Sequence, residues 1–226
     1  MSRLEACKKA VIISGGRIDR DFALRCLREE KESQIIAADR GLVFCRENGI
    51  RVDCIVGDFD SAGAQILEEY EQDEQVLIRR FQPEKDWTDT QIAVSLAAQR
   101  GCRDITILGG TGTRLDHVLG NIQVLNLLMQ QGIEARILDP YNRIRLIDGP
   151  LTLKKSEQWG SYVSLLSYDG PVRGLTLTGF KYGLEDFTLD CVGSLGISNE
   201  IEQEEAKIRF EEGILLVIES SDTPRW

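Results

Sequence analysis

The feature that most constrains this chain is a change of rhythm two-thirds of the way along it. Up to about residue 147, short apolar runs alternate with longer amphipathic stretches. The runs are Val11–Ser14, Gln34–Ala38, Asp53–Val56, Val76–Arg79, Asp104–Leu108 and Ala135–Leu138. Between them, Phe22–Glu30 and Asp116–Met129 read most clearly as helices. In the second, Val118, Ile122, Leu125 and Met129 recur at helical spacing. Strands alternating with helices predict a mostly parallel sheet flanked by helices, with ligands at the carboxyl ends of the strands. After Asp148-Gly149-Pro150 the pattern turns to short alternating runs between Gly, Pro, Asp and Asn. These are Leu151–Leu153, Tyr162–Leu166, Leu175–Thr178, Phe187–Leu189, Lys207–Phe210 and Ile214–Ile218, which predict a small all-β sandwich or barrel. The expected domains are therefore an α/β domain over 1–147 and a β domain over 148–226.

Composition narrows the partners. The 226 residues carry a formal net charge of −10, which disfavours nucleic acid and anionic membranes as partners. No run approaches the ~18 apolar residues of a membrane helix, and Ala10–Ile13 is too short for the core of a signal peptide. The expected location is the cytoplasm. Six cysteines lie scattered with no C-x-x-C pair, so they read as small buried hydrophobes rather than a disulfide framework or zinc site.

Polar residues that packing does not require gather after four predicted strands. Gly57-Asp58-Phe59-Asp60-Ser61 is either a turn or a carboxylate pair for a hard cation such as Mg²⁺. In Glu84–Gln91, Thr88 with Gln91 signals a helix start, and Asp86 and Asp89 suit its first turn. Lys85 has no part in a cap, and beside those acids it points to phosphate and metal. Gly109-Gly110-Thr111-Gly112-Thr113-Arg114-Leu115-Asp116-His117 combines glycines, a fixed cation and the chain's one histidine ahead of a long helix. It is neither a Walker A loop nor a G-x-G-x-x-G fingerprint. Gly15, Gly16, Asp39 and Gly41 follow the first two strands, where nucleotides bind in such sheets. Acids, cations and backbone donors at one sheet edge are what phosphoryl transfer needs. The residues alone thus predict a Mg²⁺-dependent enzyme acting on a nucleoside triphosphate, with the acceptor open.

At these residues the chain resembles the thiamine pyrophosphokinase family. The resemblance rests on Ala37–Gly41, Gly57–Ser61, Lys85–Asp89, Gly109–Asn121, Gly179–Leu184 and Ser194–Glu200. It implies an ATP-binding α/β domain, a thiamine-binding β-sandwich and a homodimer, with thiamine held between one subunit's α/β domain and the other's β domain. The implied reaction moves the diphosphate of ATP to the thiamine hydroxyl and releases AMP. Asp58, Asp60, Asp86 and Asp89 would hold Mg²⁺, and Lys85 and Arg114 would neutralise phosphate. Asp116 or His117 would orient or deprotonate the hydroxyl. ATP contacts would come from Gly15, Gly16, Asp39, Gly41, Gly110, Gly112, Arg114 and Asn121. Tyr182, Ser198 and Asn199 would take the vitamin. Arg40, Thr113 and Gln91 depart from the family pattern. The competing readings are a pyrophosphokinase for a hydroxymethyl-pterin, a non-catalytic nucleotide-binding regulator and an ordinary γ-phosphoryl kinase.

Overall fold

The computed structural model describes residues 8–57, 63–80 and 87–225, with the side chains of 63–65 outside that description. The chain divides into two compact units, Met1–Asp139 and Pro140–Trp226. The division falls ahead of the Asp148–Pro150 turn, because Asn142–Ile147 is a strand that pairs with Leu215–Ser220 in the second unit.

The first unit alternates β1 (Lys9–Ile13), α1 (Arg20–Glu29), β2 (Gln34–Ala38), α2 (Gly41–Glu47), β3 (Cys54–Gly57) and α3 (Gly63–Glu71). It continues with β4 (Leu77–Arg80), α4 (Asp89–Gln99), β5 (Asp104–Leu108), α5 (Leu115–Met129) and β6 (Glu134–Leu138). Its strands lie in the order β4-β3-β2-β1-β5-β6, and every pair is parallel. β1 to β3 and β5 are near-continuous apolar runs because a parallel sheet covered by helices has no wet face. Ile12, Ile13, Ile36, Ile55, Ile105 and Ile107 are fully buried there. Helix starts follow their caps. Asp19 accepts from the Phe22 N–H at 2.9 Å, and Thr88 accepts from the Gln91 N–H at 3.2 Å.

The second unit contains β7 (Asn142–Ile147), β8 (Leu151–Lys154), β9 (Tyr162–Ser167), β10 (Val172–Thr178), β11 (Leu184–Leu189), β12 (Glu205–Arg209) and β13 (Leu215–Ser220). β7, β13 and β9 pair antiparallel in that order, as do β11, β10, β12 and β8. Leu153, Val163, Leu165, Leu175, Leu177, Ile208, Leu215 and Val217 form one apolar cluster drawn from both sets of strands. Alternate residues of β13 are buried, as the period-two pattern requires.

One member of that buried set is a carboxylate. Glu219 is fully buried, and Arg143 grips both its oxygens at 2.7 and 2.6 Å while Arg145 bonds Oε1. The Trp159 N–H adds a bond at 3.2 Å. Arg143 is the direct cross-strand partner of Glu219, so β-pairing itself brings the charges together. Burial alone would raise the Glu219 pKa. The Arg143 hydrogen bond and the charges of Arg145 and Arg143 outweigh it and hold the carboxyl below its ordinary value.

Of the five cysteines described, Cys26, Cys45, Cys54 and Cys102 are buried as expected, whereas Cys191 is exposed in a loop. Burial pushes the Cys45 thiol up to about 12 and that of Cys54 up to about 11, so both stay neutral. Among the described residues, no helix is long and apolar enough to cross a membrane.

Removing the buried charge tests the Glu219 cluster. Glu219→Gln leaves two guanidinium groups underpaired and should cost about 3 kcal/mol in urea unfolding at neutral pH. A carboxyl with a lowered folded pKa contributes stability above its unfolded pKa and loses it as pH falls through the folded value. The acid limb of the stability profile should therefore be shallower in the variant.

Candidate active site at the switch point of the parallel sheet

From β1 the chain steps one way through β2, β3 and β4, then crosses back to β5 on the other side of β1. This makes β1/β5 the switch point, where loops leaving the carboxyl ends diverge and open a crevice. Both glycine-rich turns noted in the sequence fall there, Ser14–Arg17 after β1 and Gly109–Thr113 after β5.

The two turns touch backbone to backbone. The Ser14 N–H donates to the Leu108 carbonyl at 2.8 Å. A side chain on Gly16 would collide with the Gly109 carbonyl. Gly109 itself has φ +71°, and a Cβ there would lie 2.7 Å from the Ser14 carbonyl. Only glycine allows this approach and this backbone. Side chains then fix the second turn. Asn121, buried in α5, donates to the Gly110 carbonyl at 2.8 Å, and Thr111 donates to Asp139 at 2.8 Å.

The end of β2 completes the rim. Asp39 has φ 51°, a left-handed conformation that aspartate tolerates better than most residues. Its carboxylate lies over Gly15, where a Cβ would come within 2.8 Å of Oδ2. Gly41, the first residue of α2, packs against the carbonyl of Ile13 so closely that a side chain could not fit. Gly112 faces the backbone of Arg17. Gly15, Gly16, Asp39, Gly41, Gly110 and Gly112 are thus gathered around the ends of β1, β2 and β5.

Arg114, Asp116 and His117 open α5 and are exposed. Arg114 grips both Asp116 oxygens at 3.2 and 2.6 Å. That hydrogen bond holds the Asp116 carboxyl below its usual range. Asp116 is therefore ionised near neutral pH and a weak base, suited to orienting Arg114. Asp89 lies in the first turn of α4. Asp58, Asp60, Lys85 and Asp86 lie outside the described residues. Among the described residues, no three His, Cys, Asp or Glu side chains are grouped to hold a metal.

The vitamin candidates belong to the second unit. Tyr182 is exposed, with the Lys181 ammonium 5.5 Å from its ring centre. Lys181 is in turn paired with Glu200 at 2.6 Å. Asn199 is buried, its side chain accepting from the Tyr182 N–H at 3.0 Å and donating to the Tyr182 carbonyl at 2.8 Å. It fixes the loop that displays Tyr182. Ser198 is exposed with φ 58°, and its N–H donates to Ser164 at 3.1 Å. Sequence reasoning held Ser14, Thr90 and Thr111 only inside longer segments and did not reach their pairings or Asp139, because the partners are remote in the chain. The one available signal was position, since Ser14 and Asp139 directly follow strands, Thr90 lies in the first turn of a helix and Thr111 lies in the turn between β5 and α5.

A parallel sheet with two interlocked glycine turns at its switch point defines an α/β protein of the doubly wound class. Residues 27–137 match the thiamin pyrophosphokinase catalytic domain, and residues 150–215 match the thiamin pyrophosphokinase vitamin B1 binding domain. The thiamine pyrophosphokinase of Bacillus subtilis (strain 168) is 36% identical over 188 residues, 83% of this chain and 87% of that one. A crystal structure of thiamine pyrophosphokinase from Bacillus subtilis superposes with TM-score 0.83 and 32% identity, covering 95% of this chain and all of that one (100%). One from Geobacillus thermodenitrificans gives TM-score 0.80 and 31% identity, over 95% of this chain and 98% of that one. The chain belongs to the thiamin pyrophosphokinase family.

The turn contact is open to test. Gly16→Ala forces a Cβ onto the Gly109 carbonyl and should destabilise the protein by about 1–3 kcal/mol, read by urea unfolding. Gly112→Ala, whose Cβ would meet nothing nearer than 3.5 Å, should cost less than about 1 kcal/mol.

Proposed function

We propose that the chain transfers the diphosphate group of ATP to the hydroxyl of thiamine, giving thiamine diphosphate and AMP. The observation that carries this reading is the interlocked pair of glycine turns at the β1/β5 switch point, in a chain belonging to this family. In the reaction the thiamine oxygen bonds to the β-phosphorus, the bond from that phosphorus to the AMP oxygen breaks, and the hydroxyl proton is lost.

The N–H groups of Gly15–Arg17 and Gly110–Thr113 would receive phosphate oxygens, with Lys85 and Arg114 neutralising charge. Asp116 would hold Arg114 in place. His117 would take the hydroxyl proton, because Asp116 is committed to the arginine. Mg²⁺ fits the hard oxygen donors of Asp58, Asp60, Asp86 and Asp89, and when bound it would offset the negative charge of the triphosphate. Tyr182 would lie against the cationic thiazolium, while Asn199 fixes its loop and Ser198 bonds the aminopyrimidine. We further read the protein as a cytoplasmic homodimer. The exposed Val192, at 88%, and Leu195, at 63%, in the second unit are apolar surface that a partner subunit would cover.

Product analysis decides the matter. Incubation with ATP, Mg²⁺ and thiamine should yield AMP and thiamine diphosphate in equal amounts, and a pterin alcohol should not substitute. ADP with thiamine monophosphate, or no consumption of thiamine, would reject the assignment. Asp58→Asn and Asp60→Asn should each reduce turnover by on the order of 10²-fold or more while circular dichroism stays unchanged. Near-normal rates in both would remove them from the cation site.

A further inference from the structure

Two buried hydroxyls meet beside the crevice, at positions given no role of their own in the proposed reaction. Ser14 directly follows β1, and Thr90 is the second residue of α4. They are 5% and 7% exposed, and their hydroxyl oxygens lie 2.6 Å apart. Their neighbours in the chain, Ile12, Ile13, Ile92, Ala93 and Val94, are apolar and buried. Packing alone would be served by alanine and valine here. A hydroxyl pair is directional, and burying either oxygen without its partner costs free energy.

What the bond joins gives it meaning. Ser14 is held from its other side, through its own N–H to Leu108 at the end of β5, and its carbonyl abuts Gly109. It is therefore fixed to both glycine turns. Thr90 lies between Asp89, in the first turn of α4, and the Gln91 N–H that Thr88 caps. The bond ties the start of α4 to the point where the two turns interlock, across 76 positions of sequence.

We propose that Ser14 and Thr90 are positioning residues, whose shared hydrogen bond sets the first turn of α4 and the Asp89 carboxylate against the glycine turns that receive the diphosphate. This rests on the function proposed above. Neither residue touches substrate in this account. They act through Asp89 and through the helix start. Misplacing a reacting group by about 1 Å costs roughly 10²-fold in rate, so the effect belongs in turnover more than in nucleotide affinity.

The test uses Thr90→Val, which keeps the shape and deletes the hydroxyl, and Thr90→Ser, which keeps the hydroxyl. Thr90→Val should lower kcat by about 10- to 100-fold and change the KM for ATP by less than about 3-fold. Thr90→Ser should stay within about 3-fold of the parent kcat. Ser14→Ala combined with Thr90→Val should be no slower than Thr90→Val alone, since both remove one bond. Urea unfolding of each variant at the assay temperature establishes that the protein is folded during the measurement. A Thr90→Val enzyme with kcat within 2-fold of the parent would overturn the proposal. So would equal losses in the valine and serine variants, or rates that merely follow the folded fraction. Absence of AMP from the parent protein would instead overturn the proposed function, and this inference with it.

Discussion

The crevice depends on one backbone contact. Where β1 and β5 part, the chain must leave both strands within hydrogen-bond reach and still turn away in two directions. Gly16 lies against the Gly109 carbonyl, Gly109 adopts a left-handed φ, and Ser14 is bonded to Leu108. No side chain larger than hydrogen fits between these segments. The close approach is one that only glycine permits, and glycine turns of this kind present backbone N–H groups to an anionic ligand. Asn121 and Thr111 then hold the second turn from behind. The framework of the crevice is thus main chain tied down by the buried Asn121 and the half-buried Thr111.

Charge explains why the proposed reaction would call for a cation. The chain is acidic overall, and the proposed cluster would add four aspartates where the proposed triphosphate would sit. Two fixed cations, Lys85 and Arg114, do not offset both the ligand and the acids. Arg114 is moreover partly neutralised by Asp116. A divalent ion held by those aspartates would offset that repulsion.

The second unit solves a different problem. A β-sandwich of this size has a small core, and the cluster of Leu, Val and Ile side chains is closed at one end by a carboxylate with two guanidiniums. Arg143 also lies 5.5 Å from the Trp159 ring centre, and Arg225 lies 4.5 Å from it, so this corner also holds the chain near its C-terminal end. Such a polar cluster is weak evidence for stability by itself, yet costly to break. Elsewhere in this unit, the Asn199 amide bonds the backbone of Tyr182 through both its oxygen and its nitrogen, and the Tyr182 ring stays displayed at the surface.

Period and punctuation in the sequence determined the element types. The runs Gln34–Ala38 and Asp104–Leu108 coincide with observed strands, and Thr88 with Gln91 marks where α4 begins. Local chemistry also exposed the glycine turns, Asp39, Arg114 and Asp116 as candidates, since core packing has no use for them. The sequence places the boundary at the Asp148–Pro150 turn, whereas the division at Asp139 and Pro140 follows from the pairing of Asn142–Ile147 with β13, a long-range contact that no local pattern marks. Ser14 with Thr90, and Thr111 with Asp139, were invisible for the same reason. Hydrogen bonds across 76 and 28 residues leave no periodic trace, and nothing in a single hydroxyl's neighbours says whether its partner is water or a side chain. Composition and spacing settled what each segment wants to be, because those preferences are local. Strand order decided which segments meet, because only the folded chain brings the ends of β1, β2 and β5 together around one crevice.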